Sequence, residues 1–151
     1  MRIFVEDVIA YPQDAVYATQ RNKMSELAEF LPNIDDIRVL EREDVEGGVR
    51  IVNLWKAAAS DVPRVIRPFV KPDMLQWHDY AEWNDEGHFC TWRLEIGFFT
   101  EQVDVRGKTS FIPVGDSSCK CIVDGELTVD HKNLPGVPRL LAKKLVGEVE
   151  R

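Results

Sequence analysis

The residues best able to move protons sit in one short run, Trp77-His78-Asp79-Tyr80, with His88 beyond the next turn. A histidine base, an orienting carboxylate and a phenolic donor are the parts that general acid–base catalysis uses. On an extended chain, however, successive side chains point to opposite faces, so His78 and Tyr80 share one side and Asp79 takes the other. The run therefore reads first as solvated strand polarity, and no residue in it is assigned a catalytic role. An enzyme would need His78, His88, Tyr80 or Arg93 turned inward.

The other reactive side chains are sparse. Cys119-Lys120-Cys121 puts two thiols on one strand face, and Cys90 can join them on the inner side. Structural zinc wants four ligands in spacings such as paired CxxC, which the sequence does not supply. Small core residues are the expectation, with no metal or other cofactor. Arg64, Arg67 and Lys71 flank Ile66, Phe69 and Val70 in a proline-rich stretch. That stretch could close over a ligand with an acidic head and an apolar body, or be a surface loop pinned by Phe69. No GxSxG, P-loop, GxGxxG or HExxH pattern occurs.

Four tryptophans, Trp55, Trp77, Trp83 and Trp92, all fall on predicted strands. Each offers a large apolar face and one N–H donor, which suits a cavity wall as well as an ordinary sheet core. Trp92 is the strongest cavity candidate, because Cys90 and Leu94 flank it on the same face.

These residues need a frame. With 44% hydrophobic and 30% charged residues over 151 positions, the chain can bury one sizeable core, and a single domain over 1–151 is expected. A formal charge of -7, from 26 acidic and 19 basic residues, opposes binding to a phosphate backbone, so no nucleic-acid partner is expected. No apolar run approaches the roughly 20 residues that span a bilayer, so no stable membrane insertion is expected. Glu6 and Asp7 interrupt the apolar N-terminal stretch before it could act as a secretory signal. Three cysteines, an odd number in a chain large enough to do without disulfides, fit a reducing cytoplasm. The oligomeric state is open.

Residues 2 to 10 read as a first strand, closed by Tyr11-Pro12. A helix over Gln13 to Asn22 follows, then a second short helix with Met24, Leu27, Ala28 and Leu31 at helical spacing, stopped by Pro32. Six strands come next: Ile37 to Glu43, Val49 to Ala57, Met74 to Trp83, His88 to Phe99, Val103 to Ile112 and Ser118 to Val129. Gly47-Gly48, Asn84-Asp85-Glu86-Gly87 and Pro113-Val114-Gly115-Asp116 supply their hairpin turns. Cys90, Trp92, Leu94, Ile96 and Phe98 share one face, as do Cys119, Cys121, Val123, Leu127 and Val129. In the intervening connection, Ser60 can cap a turn of helix over Val62 to Arg67 before Pro68 ends it. From Pro138 to about Arg151 a final helix presents the stripe Val137, Leu141, Ala142, Leu145, Val146 and Val149 to the sheet.

The order strand, two short helices, six antiparallel strands and a long terminal helix resembles the START and Bet v 1-like superfamily, which includes polyketide cyclase-like proteins and lipid or sterol carriers. The segments Tyr11-Pro12-Gln13-Asp14-Ala15-Val16-Tyr17 and Phe30-Leu31-Pro32-Asn33-Ile34-Asp35-Asp36-Ile37 carry the likeness, because there a helix pair gives way to a proline and then to strand two. The resemblance implies an α+β helix-grip fold, a curved seven-stranded antiparallel sheet wrapped around the C-terminal helix, with a ligand cavity between them. It brings no universal catalytic motif. The resulting expectation is a carrier or sensor of a small hydrophobic, lipid-like or polyketide-like molecule, read as a binder rather than an enzyme. Trp55, Ile66, Phe69, Trp77, Trp92, Leu94, Leu141 and Leu145 are its candidate contacts. A cyclase or aromatase using the same cavity and a protein-interaction module are the alternatives.

Overall fold

A computed structural model of the chain describes residues 1–58, 62, 64, 65, 67–97 and 102–130. Strand β1 (Arg2–Ile9) leads into helix α1 (Gln13–Asn22) and the short helix α2 (Met24–Leu27), which tightens into a 3-10 turn at Ala28–Phe30. Six strands follow: β2 (Ile34–Val45), β3 (Gly48–Ala57), β4 (Gln76–Asn84), β5 (Phe89–Ile96), β6 (Val103–Val114) and β7 (Ser118–Val129). They form one antiparallel sheet in the order β1-β7-β6-β5-β4-β3-β2.

That order explains the helices. β1 and β2 are consecutive in the chain but lie at opposite edges of the sheet, so the segment joining them must travel from one edge to the other. α1 packs on β6 and β7, and α2 with its following turn packs on β2. Val16 and Tyr17 are the buried residues of α1, and they join Val49, Ile51, Ala81, Trp83, Cys90, Phe111 and Cys119 in the core beneath it.

Each hairpin turn uses the residues its backbone requires. Gly47 and Gly115 hold φ of 81° and 67°, in the left-handed region that glycine enters without steric cost. His88 ends the Asn84–His88 turn with φ of 49°, so it is a turn residue and not the first residue of β5. Its neighbours explain why a bulky side chain stands there: its ring packs edge-on against Tyr17 and its Nε2 lies 2.9 Å from Asp14. The Tyr17 hydroxyl donates to Asp85 Oδ1 at 2.7 Å, and Arg21 pairs with the same carboxylate. Helix α1 is thereby tied to the β4–β5 turn.

In the connection before β4, the structure has 3-10 turns at Arg67–Phe69 and Pro72–Leu75, later in the chain than the turn predicted at Val62 to Arg67, part of which lies outside the described residues. The predicted terminal helix and its stripe, and Phe98 of the inner-face set, also lie outside them. No helix among the described residues is long and apolar enough to cross a membrane.

One row of the sheet has a structural demand the sequence reading did not register. Gly107 and Gly125 pair across β6 and β7, next to Trp92 on β5. A Cβ on Gly107 would stand 2.6 Å from the Trp92 ring and from the Asp124 carbonyl oxygen; one on Gly125 would stand 2.8 Å from the same ring and from the Arg106 carbonyl. The missing side chains are what let the indole lie along the sheet. Gly107→Ala is expected to lower stability by about 1–3 kcal/mol through overpacking, read as a lower urea midpoint at unchanged slope. Wild-type stability in that variant would show that the indole is not held against the glycine pair.

Candidate functional site

Antiparallel pairing sets which side chains meet. Across β3, β4 and β5 the rows run Trp55–Trp77–Ile96, Asn53–Asp79–Leu94, Ile51–Ala81–Trp92 and Val49–Trp83–Cys90. Paired residues point to the same face, so all four rows belong to one side of the sheet. Between this face and the helix pair lies a hollow of about 280 Å³, bounded on its helical side by Gln20 of α1 and Met24 of α2. All four tryptophans line it, together with Asp79, Leu94 and Thr109.

The walls are ordered by ring contacts. Trp55 and Trp77 stack with centroids 5.9 Å apart and planes 19° from parallel. Trp83 meets Tyr17 edge-on at 5.5 Å. Trp92 donates its indole N–H to Thr109 Oγ1 at 3.0 Å, which fixes the ring over the glycine pair. The indole nitrogens of Trp55 and Trp83 are buried and have no hydrogen-bond partner.

Asp79 is the acidic side chain among the described residues that line the hollow. Its Oδ1 is buried without a partner. Burial raises its pKa from 3.8 to about 6, against a smaller opposing pull from the Trp55 indole. The indole is close enough to favour the charged form, yet the contact falls short of hydrogen-bond geometry, so both atoms stay unpaired. Cys90, in the same hollow, is held well above the usual thiol range by burial first and by the Asp79 charge second. Cys119 and Cys121 are also raised by burial. All three thiols are free, and burial keeps each of them protonated, without the thiolate character of an activated nucleophile. Among the described residues no group of three or more His, Cys, Asp or Glu is placed to hold a metal.

The structure sorts the sequence candidates clearly. Trp55, Trp77, Trp92 and Leu94 come together around the hollow. Phe69 is 52% exposed in its 3-10 turn and does not line it. Ile66, Leu141 and Leu145 lie outside the described residues. His78 and Tyr80 stack on each other on the opposite face, where Arg93 covers the Tyr80 ring at 4.6 Å. With His88 engaged by Asp14, none of the four proposed proton-transfer residues lines the hollow. Those four face an open surface or the turn, and the wider groove beside Tyr80 and Arg93, about 560 Å³, is edged by the charged Arg50, Glu82 and Arg106. The residue that does turn inward is Asp79. Its signal was its parity with Trp77 and Trp83, which an extended strand places on the same side.

No family model matches the sequence, and no curated protein matches it at a significant level. Solved structures do match. The Zhui aromatase/cyclase from Streptomyces sp. R1128 superposes with a TM-score of 0.68 at 12% identity, over 99% of this chain and 83% of that one. Norcoclaurine synthase from Thalictrum flavum gives 0.61 at 16% identity, over 98% and 87%. A START superfamily protein from Mycobacterium smegmatis gives 0.55 at 15%, over 98% and 88%. At these identities the likeness is one of fold. The chain has the helix-grip fold of the START and Bet v 1-like superfamily, as its sheet order and helix pair indicate.

The buried carboxyl makes stability depend on pH in a defined direction. A carboxyl whose pKa rises on folding binds its proton more tightly in the native state than in the unfolded one. Its contribution therefore improves as pH falls from about 6 toward about 4, and is a net cost at higher pH. Asp79→Asn is expected to be more stable than the wild type by about 2–3 kcal/mol at pH 7.5, with the gap closing near pH 4. Urea melts of both proteins across this range would check it; a gap independent of pH would mean that Asp79 is not desolvated.

Proposed function

We propose that the chain acts as a single domain over 1–151 and binds a small, largely apolar molecule in the tryptophan-walled hollow. The observation that carries this reading is the convergence of four indoles on one hollow beneath the helix pair. Aromatic walls with a few placed polar groups are the usual makeup of a small-molecule site. At about 280 Å³ the hollow lies just below the usual range of about 300–1,000 Å³, which suits one or two fused rings better than a sterol. The aromatase/cyclase and norcoclaurine synthase among the structural matches support the same class of ligand, small and ring-containing. The free cysteines, two of them buried, support work in a reducing compartment such as the cytoplasm.

A second reading has its own observation. A carboxyl with a pKa of about 6 inside a hollow is suited to accept a proton near neutral pH, as a general base does. A cyclase-like activity would run through Asp79 and not through His78, His88, Tyr80 or Arg93. The readings separate on turnover, since a carrier returns its ligand unchanged.

The test uses the tryptophans as reporters. Intrinsic fluorescence is expected to change saturably with naphthalene-sized aromatics and little with sterols. Val123→Phe, which adds bulk inside the hollow, is expected to weaken binding by about tenfold or more while the protein stays folded. A protein that ignores every aromatic probe, in wild-type and variant alike, would overturn the binding reading.

A further inference from the structure

The hollow contains an anion without a counterion. Asp79 ionises at neutral pH, yet among the described residues that line the space there is no Lys, Arg or His. From β3 it is faced by Trp55 and Asn53, from β5 by Cys90, Trp92 and Leu94, and from the helices by Gln20 and Met24. Thr109 and Val123 complete the surroundings from β6 and β7. Only Cys90 among these is titratable besides Asp79, and it stays neutral.

Directly across from Asp79, on the same face, stands Asn53, which is 3% exposed and is the buried polar side chain of the core. Its Oδ1, like that of Asp79, is buried without a partner. Asn53 does not line the hollow, so Asp79 is the acceptor that faces a ligand there, and a carboxylate without a partner calls for a donor that also brings charge. A hydroxyl brings one proton; an ammonium brings three donors, no acceptor and the missing positive charge. A carboxylate or phosphate ligand would add a second anion to a poorly solvated one.

The indoles point the same way, because a desolvated cation gains from the faces of aromatic rings, tryptophan most of all. Building on the reading that the hollow binds a small aromatic molecule, we propose that its ligand is an aromatic primary amine, whose protonated head is held by Asp79 while its ring lies among Trp55, Trp77 and Trp92. Asp79 supplies charge, and the tryptophans supply both the apolar wall and a surface for the cation.

The selectivity depends on pH. Amine binding needs the ionised carboxylate, so affinity rises as pH increases through about 6 and levels off until the amine itself loses its proton. A neutral ligand of the same shape has no such dependence on Asp79.

Calorimetric titration of the full chain with 2-phenylethylamine, 2-phenylethanol and 3-phenylpropionate tests this directly. At pH 7.5 the amine is expected to bind at least about tenfold more tightly than the alcohol, with the acid weakest. At pH 5 that preference should shrink by about tenfold, as one pH unit below the carboxyl pKa implies. Asp79→Asn should abolish the preference of amine over alcohol, and a urea melt confirms that the variant is folded. Equal binding of amine and alcohol, or a preference that survives in Asp79→Asn, overturns the amine assignment and leaves the hollow as a binding site. Binding of naphthalene-sized aromatics without any of the three phenyl probes also rejects it. If no aromatic of either kind binds, the ligand-binding reading itself fails.

Discussion

The register between β3, β4 and β5 is the constraint on which everything in the site depends. Side chains alternate across a strand, so a slip of one residue in β4 would replace Trp77, Asp79, Ala81 and Trp83 on the inner face with His78, Tyr80 and Glu82. Turn chemistry and the helix above it pin that register together. The Asn84–His88 turn joins β4 to β5, and Asp85 within it receives both the Tyr17 hydroxyl and the Arg21 guanidinium from α1. Burial first and the bond to Asp85 second push the Tyr17 hydroxyl pKa up, against an opposing effect of Arg21, keeping it a donor at any physiological pH. The same helix supplies Gln20 to the hollow, so the contact that fixes the register also roofs the site.

A carboxylate among indoles is costly, and its persistence needs a reason. Burying an ionised group without a partner disfavours folding, and the raised pKa of Asp79 measures that cost. An apolar residue at position 79 would pack against Leu94 and Trp55 without it. Three further buried polar atoms, Asn53 Oδ1, Trp55 Nε1 and Trp83 Nε1, are also unsatisfied on this face. Native interiors leave few such groups unpaired, so four of them on one face beside a hollow call for an explanation beyond packing.

Much of the fold was legible because alternation and turn chemistry are local. The helix over Gln13 to Asn22, the seven strands and the three hairpin turns lie where periodicity, glycines and the Asn84 turn put them. The inner faces of β5 and β7 follow from the same alternation, and Trp92 lines the hollow as its neighbours Cys90 and Leu94 suggest. What was not legible depends on partners distant in sequence. Asp79 looks like surface polarity until β3 and β5 close on it with Trp55, Asn53 and Leu94. The need for glycine at 107 and 125 arises only when Trp92 is laid across both strands. Strand β4 contains alternating sets of both kinds, and only the packing of α1 and α2 on one face decides which set is inside.

The rigidity of the walls bears on how such a site would discriminate. Tryptophan has two side-chain torsions, and here Trp92 is held by Thr109 and the glycine pair, Trp83 by Tyr17 and Phe111, and Trp55 by its stack on Trp77. Walls ordered before the ligand arrives lose little conformational entropy when it binds, so more of the contact energy appears as affinity. The same order limits adaptation. Fixed rings cannot repack around a ligand whose shape differs from that of the hollow they line. Under the binding reading Asp79 is the charged group at that space, and because an unmet buried acceptor is more costly than an imperfect apolar contact, it would set specificity where the indoles set affinity.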